Sequence, residues 1–281
     1  MKITFDHIVS RLVESHIASP RLEARMMLAH VLNCEASEIV PGEFELPEDK
    51  ALQLEKIVSA RLRHHPLDKL LGAKDFYKYR FQVNEAVLSP RPDTEILVEK
   101  ALELAAGRNF ASLLDLGTGS GCILLSILAD CPEMKGTAVD ASAGALAIAR
   151  KNAELLGVSE RVAFVHKSWF EQDFVQNFLL KFDLVVSNPP YIPDADIAML
   201  DEEVRAHDPL SALSGGPDGY DHYRRIAEIA PELLNDNGFI LLEVGINQVD
   251  EVAEIFAGRQ LKLVEKVRDL AGIERCVILK K

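Results

Sequence analysis

A glycine-rich stretch between an apolar run and a helical pattern constrains the fold of this chain more than any other feature. The sequence LLDLGTGSGC, residues 113–122, places Gly117, Gly119 and Gly121 where a buried strand would turn into a helix. Glycine lets the backbone adopt positive φ and approach a ligand closely, and the start of a helix offers unpaired N–H groups. The stretch therefore predicts a strand-turn-helix unit with a ligand site at the carboxyl end of the strand.

From residue 96 onward, patterns typical of helices and of strands alternate. Helices are predicted over 96–107, 122–130, 143–157 and 220–234, and strands over 111–117, 135–140, 161–166, 182–188 and 238–244. The alternation indicates an α/β fold with a doubly wound, mostly parallel sheet. Residues 260–281 fit two strands joined by a turn, which would give this sheet an antiparallel edge.

The first 72 residues follow a helical period instead. Residues 1–16 have an amphipathic helical pattern, Ser19 followed by Pro20 is typical of a helix start, and residues 51–65 fit a further helix. The sequence therefore predicts a small N-terminal helical domain over residues 1–72.

The helical period ends at DFYKYRFQV, residues 75–83, where aromatic and apolar residues alternate with polar ones. A period of two is typical of a half-exposed strand, so we interpret residues 73–90 as a β-hairpin linker. Residues 91–281 would then form the α/β domain. Within it, the segment from Pro193 to Gly219 is long and rich in glycine, which predicts a loop whose order depends on a bound substrate.

Charge and composition narrow the classes of function. The formal net charge is −13 at pH 7, and nearly all of it arises after residue 85. Such acidity weighs against direct DNA binding and suits a basic protein partner better. The sequence has no apolar run long enough to span a bilayer and does not begin like a signal peptide, so we expect a cytoplasmic protein without membrane contact. The four cysteines are scattered, and neither a metal site nor a disulfide is predicted.

The glycine-rich turn fits two cofactors. Its spacing is G-x-G-x-G, and Cys122 stands where a dinucleotide fingerprint has its third glycine. Asp140, at the end of the next strand, is placed to accept hydrogen bonds from the ribose hydroxyls of either cofactor. Asp115 would repel a pyrophosphate but attract a cation such as a sulfonium, which favours S-adenosylmethionine over NAD. Trp169 follows the third strand, where an adenine ring would lie, although filling of the core would also explain it.

A second unusual strand end is VVSNPPYIP, residues 185–193. The two prolines could simply terminate the sheet. Alternatively, they hold a rigid turn in which the Asn188 side-chain oxygen and the Pro189 carbonyl both accept hydrogen bonds from a planar NH2 group, while Tyr191 stacks on that group. In a doubly wound sheet this strand lies beside the glycine-loop strand, so the two motifs would meet at one edge.

Motifs along the whole chain point to one family. They are EARMMLAHVL at 23–32, PRPDTEILVE at 90–99, DLGTGSG, AVDAS, NPPYI, and the segment 202–226 with its DP-x-x-AL-x-GG-x-x-G pattern. In these the chain resembles the bacterial protein-glutamine methyltransferases of the HemK type. The resemblance implies a class I S-adenosylmethionine-dependent methyltransferase fold with a seven-stranded, mostly parallel sheet. It also implies methylation of the Gln side-chain amide in the Gly-Gly-Gln motif of class-I peptide chain release factors, with S-adenosylhomocysteine as product.

The resemblance also implies roles for individual residues. Those expected to bind S-adenosylmethionine are Gly117, Thr118, Gly119, Ser120, Gly121, Asp140, Trp169 and Asn188, with Arg91 and Thr94 bordering it. The substrate glutamine would be held by Asn188, Pro189, Pro190 and Tyr191, of which Asn188, Pro189 and Tyr191 would be catalytic. The helical domain would help to dock the release factor, and we expect a monomer. One departure from the family is HHPLDKLLG, residues 64–72, which bears on docking.

Two other functions remain open from the sequence. NPPY also occurs in amino-methyltransferases that act on adenine or cytosine in nucleic acid, but these need a basic binding face. A non-catalytic cofactor-binding scaffold that regulates translation would not require the intact NPPY turn beside the glycine loop.

Overall fold

Two units divide the chain, and each has its own apolar core. The structure, a computed structural model, describes residues 1–269 and 271–281. Leu270, in the turn predicted between the last two strands, lies outside the described residues. The units comprise Met1–Ala73 with Asp201–His207, and Lys74–Leu200 with Asp208–Lys281.

The smaller unit is mainly helical. Its N-terminal elements are β1 (Lys2–Thr4), α1 (Phe5–Glu14), α2 (Pro20–Leu32), β2 (Glu43–Glu45), α3 (Glu48–Arg61) and α4 (Leu67–Leu71). The helices bury their apolar faces against one another, and β1 pairs antiparallel with β2. The helix Glu202–His207, α8 in chain order, also belongs to this unit, where Arg61 donates a hydrogen bond to Glu203 at 2.6 Å.

Two details of this unit differ from the sequence prediction. The first helix does not begin at the N-terminus, because residues 2–4 pair with β2 and the Thr4 hydroxyl accepts a hydrogen bond from the His7 N–H at 3.2 Å. This cap starts α1 at Phe5. Pro20 begins α2 as predicted, but Ser19 makes no capping hydrogen bond through its side chain.

The larger unit alternates strands and helices. Its elements are β3 (Ala73–Phe76), β4 (Tyr79–Gln82), α5 (Glu95–Ala105), β5 (Ser112–Leu116), α6 (Cys122–Asp130), β6 (Lys135–Asp140), α7 (Ala143–Leu155), β7 (Val162–His166), β8 (Phe182–Ser187), α9 (Asp221–Leu233), β9 (Leu234–Glu243), α10 (Val249–Ala257), β10 (Lys262–Arg268) and β11 (Glu274–Lys280). The run 75–83, which has the period of one strand, is divided between β3 and β4 by a turn in which Tyr77 has a φ of 56°.

Seven strands form the central sheet in the order β10-β11-β9-β8-β5-β6-β7. The pairs from β9 to β7 are parallel, and β11 runs antiparallel to both of its neighbours. This confirms the predicted fold class, including the antiparallel edge. It also places β8 directly beside β5, so the chain segments that follow these two strands emerge at the same edge.

Both faces of the sheet are covered by helices. On β9, Leu241 packs into the cluster that includes residues of α5 and α6, while Ile240 and Leu242 pack into the cluster that includes residues of α9 and α10. This alternation is what a strand buried on both faces requires. Among the described residues, no helix has both the length and the apolar character needed to cross a membrane.

The segment predicted as a loop from Pro193 to Gly219 contains more structure than its sequence indicated. It includes α8 and short 3₁₀ turns at Ile197–Met199 and Leu210–Ala212. A β-bridge joins Ile192 to Ser214.

Candidate functional site

A cavity of about 630 Å³ lies in the larger unit at the carboxyl ends of β5, β6, β7 and β8. Ligand pockets commonly have volumes of roughly 300–1,000 Å³. Ten of the predicted site residues line the cavity: Arg91, Thr94, Gly117, Thr118, Gly119, Ser120, Asp140, Trp169, Asn188 and Pro190. Gly121, Pro189 and Tyr191 are not among the lining residues.

The glycine loop is fixed to the sheet by its backbone. The N–H groups of Gly117 and Thr118 both donate to the Val139 carbonyl at 2.9 Å. Gly117 has a φ of +77°, and a Cβ at this position would lie 3.2 Å from Cη2 of Trp169. Gly119 also has positive φ, but a Cβ there would meet nothing within 4 Å. The loop therefore leaves open space on its cavity side.

Gly121 is required for packing. It precedes α6 with a φ of +82°, and a Cβ there would lie 2.7 Å from Cδ1 of Leu125. The absence of a side chain lets α6 pack closely behind the loop, which is one of the roles of glycine in such turns.

Asp140 holds the loop from the next strand. Its carboxylate accepts hydrogen bonds from the N–H of Gly119 at 2.9 Å and from the N–H of Ser142 at 2.8 Å. Burial raises the pKa of Asp140, and the two backbone hydrogen bonds oppose that rise. Each carboxylate oxygen has a second lone pair, so Asp140 can still accept hydrogen bonds from a ligand in the cavity.

Asp115 does not line the ligand cavity, where the sequence predicted that it would attract a cation. Its side chain is fully buried and is not part of the cavity lining; one oxygen accepts a hydrogen bond from the Thr118 hydroxyl at 2.7 Å. Burial raises the pKa of Asp115 to about 7. The group therefore supports the loop from beneath and does not contact a ligand directly.

Trp169 forms an aromatic wall of the cavity. It is 6% exposed, and His222 packs against its ring edge-to-face with the centroids 5.4 Å apart. The Nε1 atom is buried and has no hydrogen-bond acceptor among the described residues. A buried indole N–H usually has a partner, so this donor is available to a ligand.

Asn188 follows β8 and is held by Thr94. Its Nδ2 atom donates to Oγ1 of Thr94 at 3.2 Å, and Oγ1 of Thr94 donates to Oε2 of Glu243 at 2.5 Å. Sequence reasoning missed Glu243. The signal for it was an acidic residue at the end of the apolar run FILL, in the last position of a strand buried on both faces.

The backbone around Tyr191 packs closely against the glycines of the DP-x-x-AL-x-GG-x-x-G segment. The N–H of Ile192 donates to the Leu213 carbonyl at 3.1 Å, and the Ile192 carbonyl accepts from the N–H of Gly215 at 2.8 Å. The Tyr191 carbonyl accepts from Nε2 of Gln248 at 3.1 Å. A Cβ on Gly219 would lie 2.6 Å from the Tyr191 oxygen. The Tyr191 ring packs with the apolar cluster that covers one face of the sheet.

Arg91 connects two of the sequence motifs. Its Nη2 atom donates to Oδ2 of Asp208 at 2.9 Å, and Asp208 is buried. PRPDTE is thus tied to the beginning of the DP-x-x-AL-x-GG-x-x-G segment, and both line the same cavity.

Comparisons with known proteins agree with this architecture. The family model for the Methyltransferase small domain matches residues 91–205, and that for the PrmC N-terminal domain matches residues 4–72. The release factor glutamine methyltransferase of Caulobacter vibrioides is 39% identical over 269 residues, which cover 95% of this chain and 92% of the relative. Its counterpart in Rhodospirillum rubrum is 39% identical, covering 96% of this chain and 82% of the relative. That of Agrobacterium fabrum is 36% identical, covering 96% and 94%.

These identities extend over both units and confirm the family predicted from the sequence motifs. The chain belongs to the release factor glutamine methyltransferase family.

Proposed function

We propose that this protein transfers a methyl group from S-adenosylmethionine to the side-chain amide nitrogen of the Gln in the Gly-Gly-Gln motif of class-I peptide chain release factors. The observation that carries the proposal is the placement of Asn188 on the wall of the same cavity as the glycine loop and Asp140. Asn188, which we expect to bind an amide, thus lines the same cavity as the glycine loop and Asp140, which we expect to bind a nucleoside.

The cavity fits S-adenosylmethionine in size and in chemistry. Asp140 offers acceptors to the ribose hydroxyls, and the open space beside Gly119 allows close approach of a ligand to the backbone. Trp169 offers an apolar face and an unpaired N–H to an adenine. Thr118, Ser120, Arg91 and Thr94 complete the wall, while Gly117 and Gly121 keep the loop in the shape that this site requires.

The residues after β8 would bind and orient the glutamine. The side-chain oxygen of Asn188 and the carbonyl of Pro189 each accept a hydrogen bond from the substrate NH2 group. Pro190 keeps the turn rigid, and Tyr191 limits the position of the planar amide. Binding both hydrogens in this way directs the nitrogen lone pair toward the methyl donor.

S-adenosylmethionine supplies a methyl group that is already activated by its positive sulfonium. Orientation is therefore the main contribution of the protein, and the surplus proton can leave the amide after transfer without a strong general base. A pocket of acceptors would reject glutamate, because a carboxylate brings no N–H and repels the oxygens that face it.

The partner is the other part of the proposal. We expect the protein to act on the release factor in the cytoplasm and as a monomer. We assign docking of the release factor in part to the helical domain over residues 1–72, with 73–90 as the linker to the catalytic domain over 91–281. The excess of negative charge after residue 85 favours a protein partner over DNA.

A transfer assay tests the function. Labelled S-adenosylmethionine is offered with a release factor, with the same factor carrying Gln→Ala in Gly-Gly-Gln, or with duplex DNA, and the label is located by mass mapping. We expect label on the glutamine of the intact release factor alone. Label on DNA, or on the Gln→Ala factor at an equal level, would overturn the proposal.

Asn188→Ala tests the role of the amide receptor. We expect the variant to bind S-adenosylmethionine with nearly unchanged affinity but to lose turnover by roughly 100-fold or more, because a hydrogen bond that orients the reacting group is gone. Asn177→Ala is the control, since that side chain bonds only to the backbone of residues 173 and 174 outside the cavity. Unchanged turnover in Asn188→Ala would exclude the assigned role.

A further inference from the structure

A buried carboxyl group lies behind Asn188 and reaches it through one hydroxyl group. Glu243 ends β9, the strand that pairs with β8, and is 3% exposed. Thr94, in the 3₁₀ turn Pro92–Thr94, is also 3% exposed and stands between Glu243 and Asn188. The three side chains form a continuous series of hydrogen bonds from the core of the sheet to the cavity wall.

The number of available protons determines which group donates and which accepts in each of these hydrogen bonds. The Thr94 hydroxyl has one hydrogen, and it is donated to the Glu243 carboxylate, which is acceptor-only when ionised. The Thr94 oxygen must therefore accept its second hydrogen bond, and the NH2 group of Asn188 supplies it. With its nitrogen bound to Thr94, the Asn188 amide keeps its oxygen for the cavity.

We propose that Glu243 is a positioning residue for methyl transfer: acting through Thr94, it sets the orientation of the Asn188 amide so that the pocket presents an acceptor and selects an amide over a carboxylate. This inference rests on the proposed function and adds the origin of its selectivity. Without a fixed proton direction, the nearly symmetric amide of Asn188 could present either its oxygen or its NH2 group to the substrate.

The ionisation of Glu243 decides which orientation is present. Burial raises the pKa of Glu243 to about 7, and the negative charge of Asp93 adds to the rise, while the Thr94 hydrogen bond, the positive charge of Arg275 and a hydrogen bond from Asn188 favour the carboxylate. A protonated Glu243 would donate to Thr94, Thr94 would donate to the Asn188 oxygen, and the NH2 group would face the cavity. The ionisable groups around Glu243 come from every neighbouring element: Asp93 beside Thr94, Tyr191 after β8, Arg275 and Cys276 on β11, Tyr223 on α9 and Cys122 on α6.

Glu243→Gln tests the proposal because it keeps the shape but removes the constraint on proton direction, since an amide can donate to Thr94 as well as accept from it. Because the new amide can donate to Thr94, the Asn188 NH2 group is no longer held away from the substrate. We expect the turnover number for a Gly-Gly-Gln release factor to fall by about tenfold to 100-fold, according to how often the NH2 group faces the substrate, with the Kd for S-adenosylmethionine unchanged. A Gly-Gly-Glu release factor should become a competitive inhibitor about tenfold stronger than it is for the wild type, which corresponds to about 1.4 kcal/mol.

Glu265→Gln is the matched control, since this exposed carboxylate pairs with Lys100 away from the cavity. The pH profile adds a second readout. The wild-type turnover number should rise through about pH 7, and that of Glu243→Gln should be flat over the same range.

If Glu243→Gln also loses cofactor binding, a pair of variants at Thr94 tests the proposal instead. Thr94→Ser keeps the hydroxyl, whereas Thr94→Val keeps the shape and removes it. We expect Thr94→Ser to retain far more turnover than Thr94→Val. Equal turnover in these two variants, or unchanged turnover and unchanged Gly-Gly-Glu inhibition in Glu243→Gln, would overturn the proposal. Wild-type protein that leaves the release-factor glutamine unlabelled would instead overturn the proposed function itself.

Discussion

Gly117 affects both the backbone turn after β5 and the packing of the cavity wall. Its φ of +77° lies in the region that L-residues rarely adopt, and the Trp169 ring occupies the space that a side chain would need. The glycine therefore allows the turn after β5 and also lets the aromatic wall lie directly against it. These two effects can be separated, because Gly107 has nearly the same φ, +75°, and an added Cβ there would meet no atom within 4 Å.

We predict that Gly117→Ala weakens S-adenosylmethionine binding at least tenfold, which corresponds to about 1.4 kcal/mol. Its Cβ would lie 3.2 Å from Trp169 and would displace the ring. Gly107→Ala is the control, with a φ of +75° and nothing within 4 Å of the added Cβ. Both variants should lose about 1–2 kcal/mol of stability from backbone strain. The affinity for S-adenosylmethionine, measured by calorimetry, should fall only for Gly117→Ala. Equal affinities in the two variants would show that the position of the Trp169 ring does not depend on this glycine.

The sequence predicted the residues of the site that belong to local motifs. Asp140 and Asn188 were found because each ends a predicted strand, and strand ends of a parallel sheet meet at one edge. The series Glu243–Thr94–Asn188 was not found, because its members are far apart in the chain: Thr94 and Glu243 are separated by 149 positions. A hydrogen bond between such residues depends on the order of β8 and β9 in the sheet, which no local pattern contains.

Among the helices and strands too, features set by local sequence were predicted and pairings between distant segments were not. The strands and helices from α5 to β9 were predicted within a few residues, because buried strands and amphipathic helices have strong local periods. The pair β1–β2 was not, since each strand has three residues and the pairing joins segments about 40 positions apart. The helix α10 was overlooked, although Val249, Val252 and Phe256 have helical spacing.

Asn152 on α7 joins three elements of the larger unit. Its Oδ1 atom accepts from the N–H of Gln82 at 2.7 Å, and its Nδ2 atom donates to the carbonyls of Gln82 and Ser120 at 3.0 and 2.8 Å. The side chain is fully buried. It thus fixes the hairpin strand β4 and the glycine loop to the same helix.

We predict that Asn152→Ala lowers the free energy of unfolding by about 3 kcal/mol, since one buried and two part-buried backbone groups lose their partner at roughly 1 kcal/mol each. Cofactor binding should weaken as well, because Ser120 lies on the cavity wall. Lys151→Ala, at the exposed neighbouring position, is the control. Denaturant unfolding of both variants checks the prediction, and a loss below about 1 kcal/mol would contradict it.

At the scale of the whole molecule, the cavity affects how stability depends on pH. Asp115 and Glu243 are fully buried acids on the loop side and the amide side of the cavity, and burial raises the pKa of each to about 7. Between their ordinary pKa values and about 7, the folded protein holds protons that the unfolded chain has released. Stability from these groups therefore falls as pH rises through this window, and it is constant above it.

We predict opposite trends for stability and activity near neutral pH. Glu243→Gln cannot titrate, so the difference in unfolding free energy between this variant and the wild type isolates Glu243, while the contributions of Asp115 and of the half-buried His222 cancel. From pH 4.5 to 7, the wild type should lose roughly 3 kcal/mol relative to the variant, at 1.36 kcal/mol for each unit of raised pKa. Denaturant unfolding at a series of pH values measures this difference. Parallel curves would mean that Glu243 is ionised throughout, and a wild-type turnover number that rises over the same range would show that the ionised form is retained for catalysis despite its cost in stability.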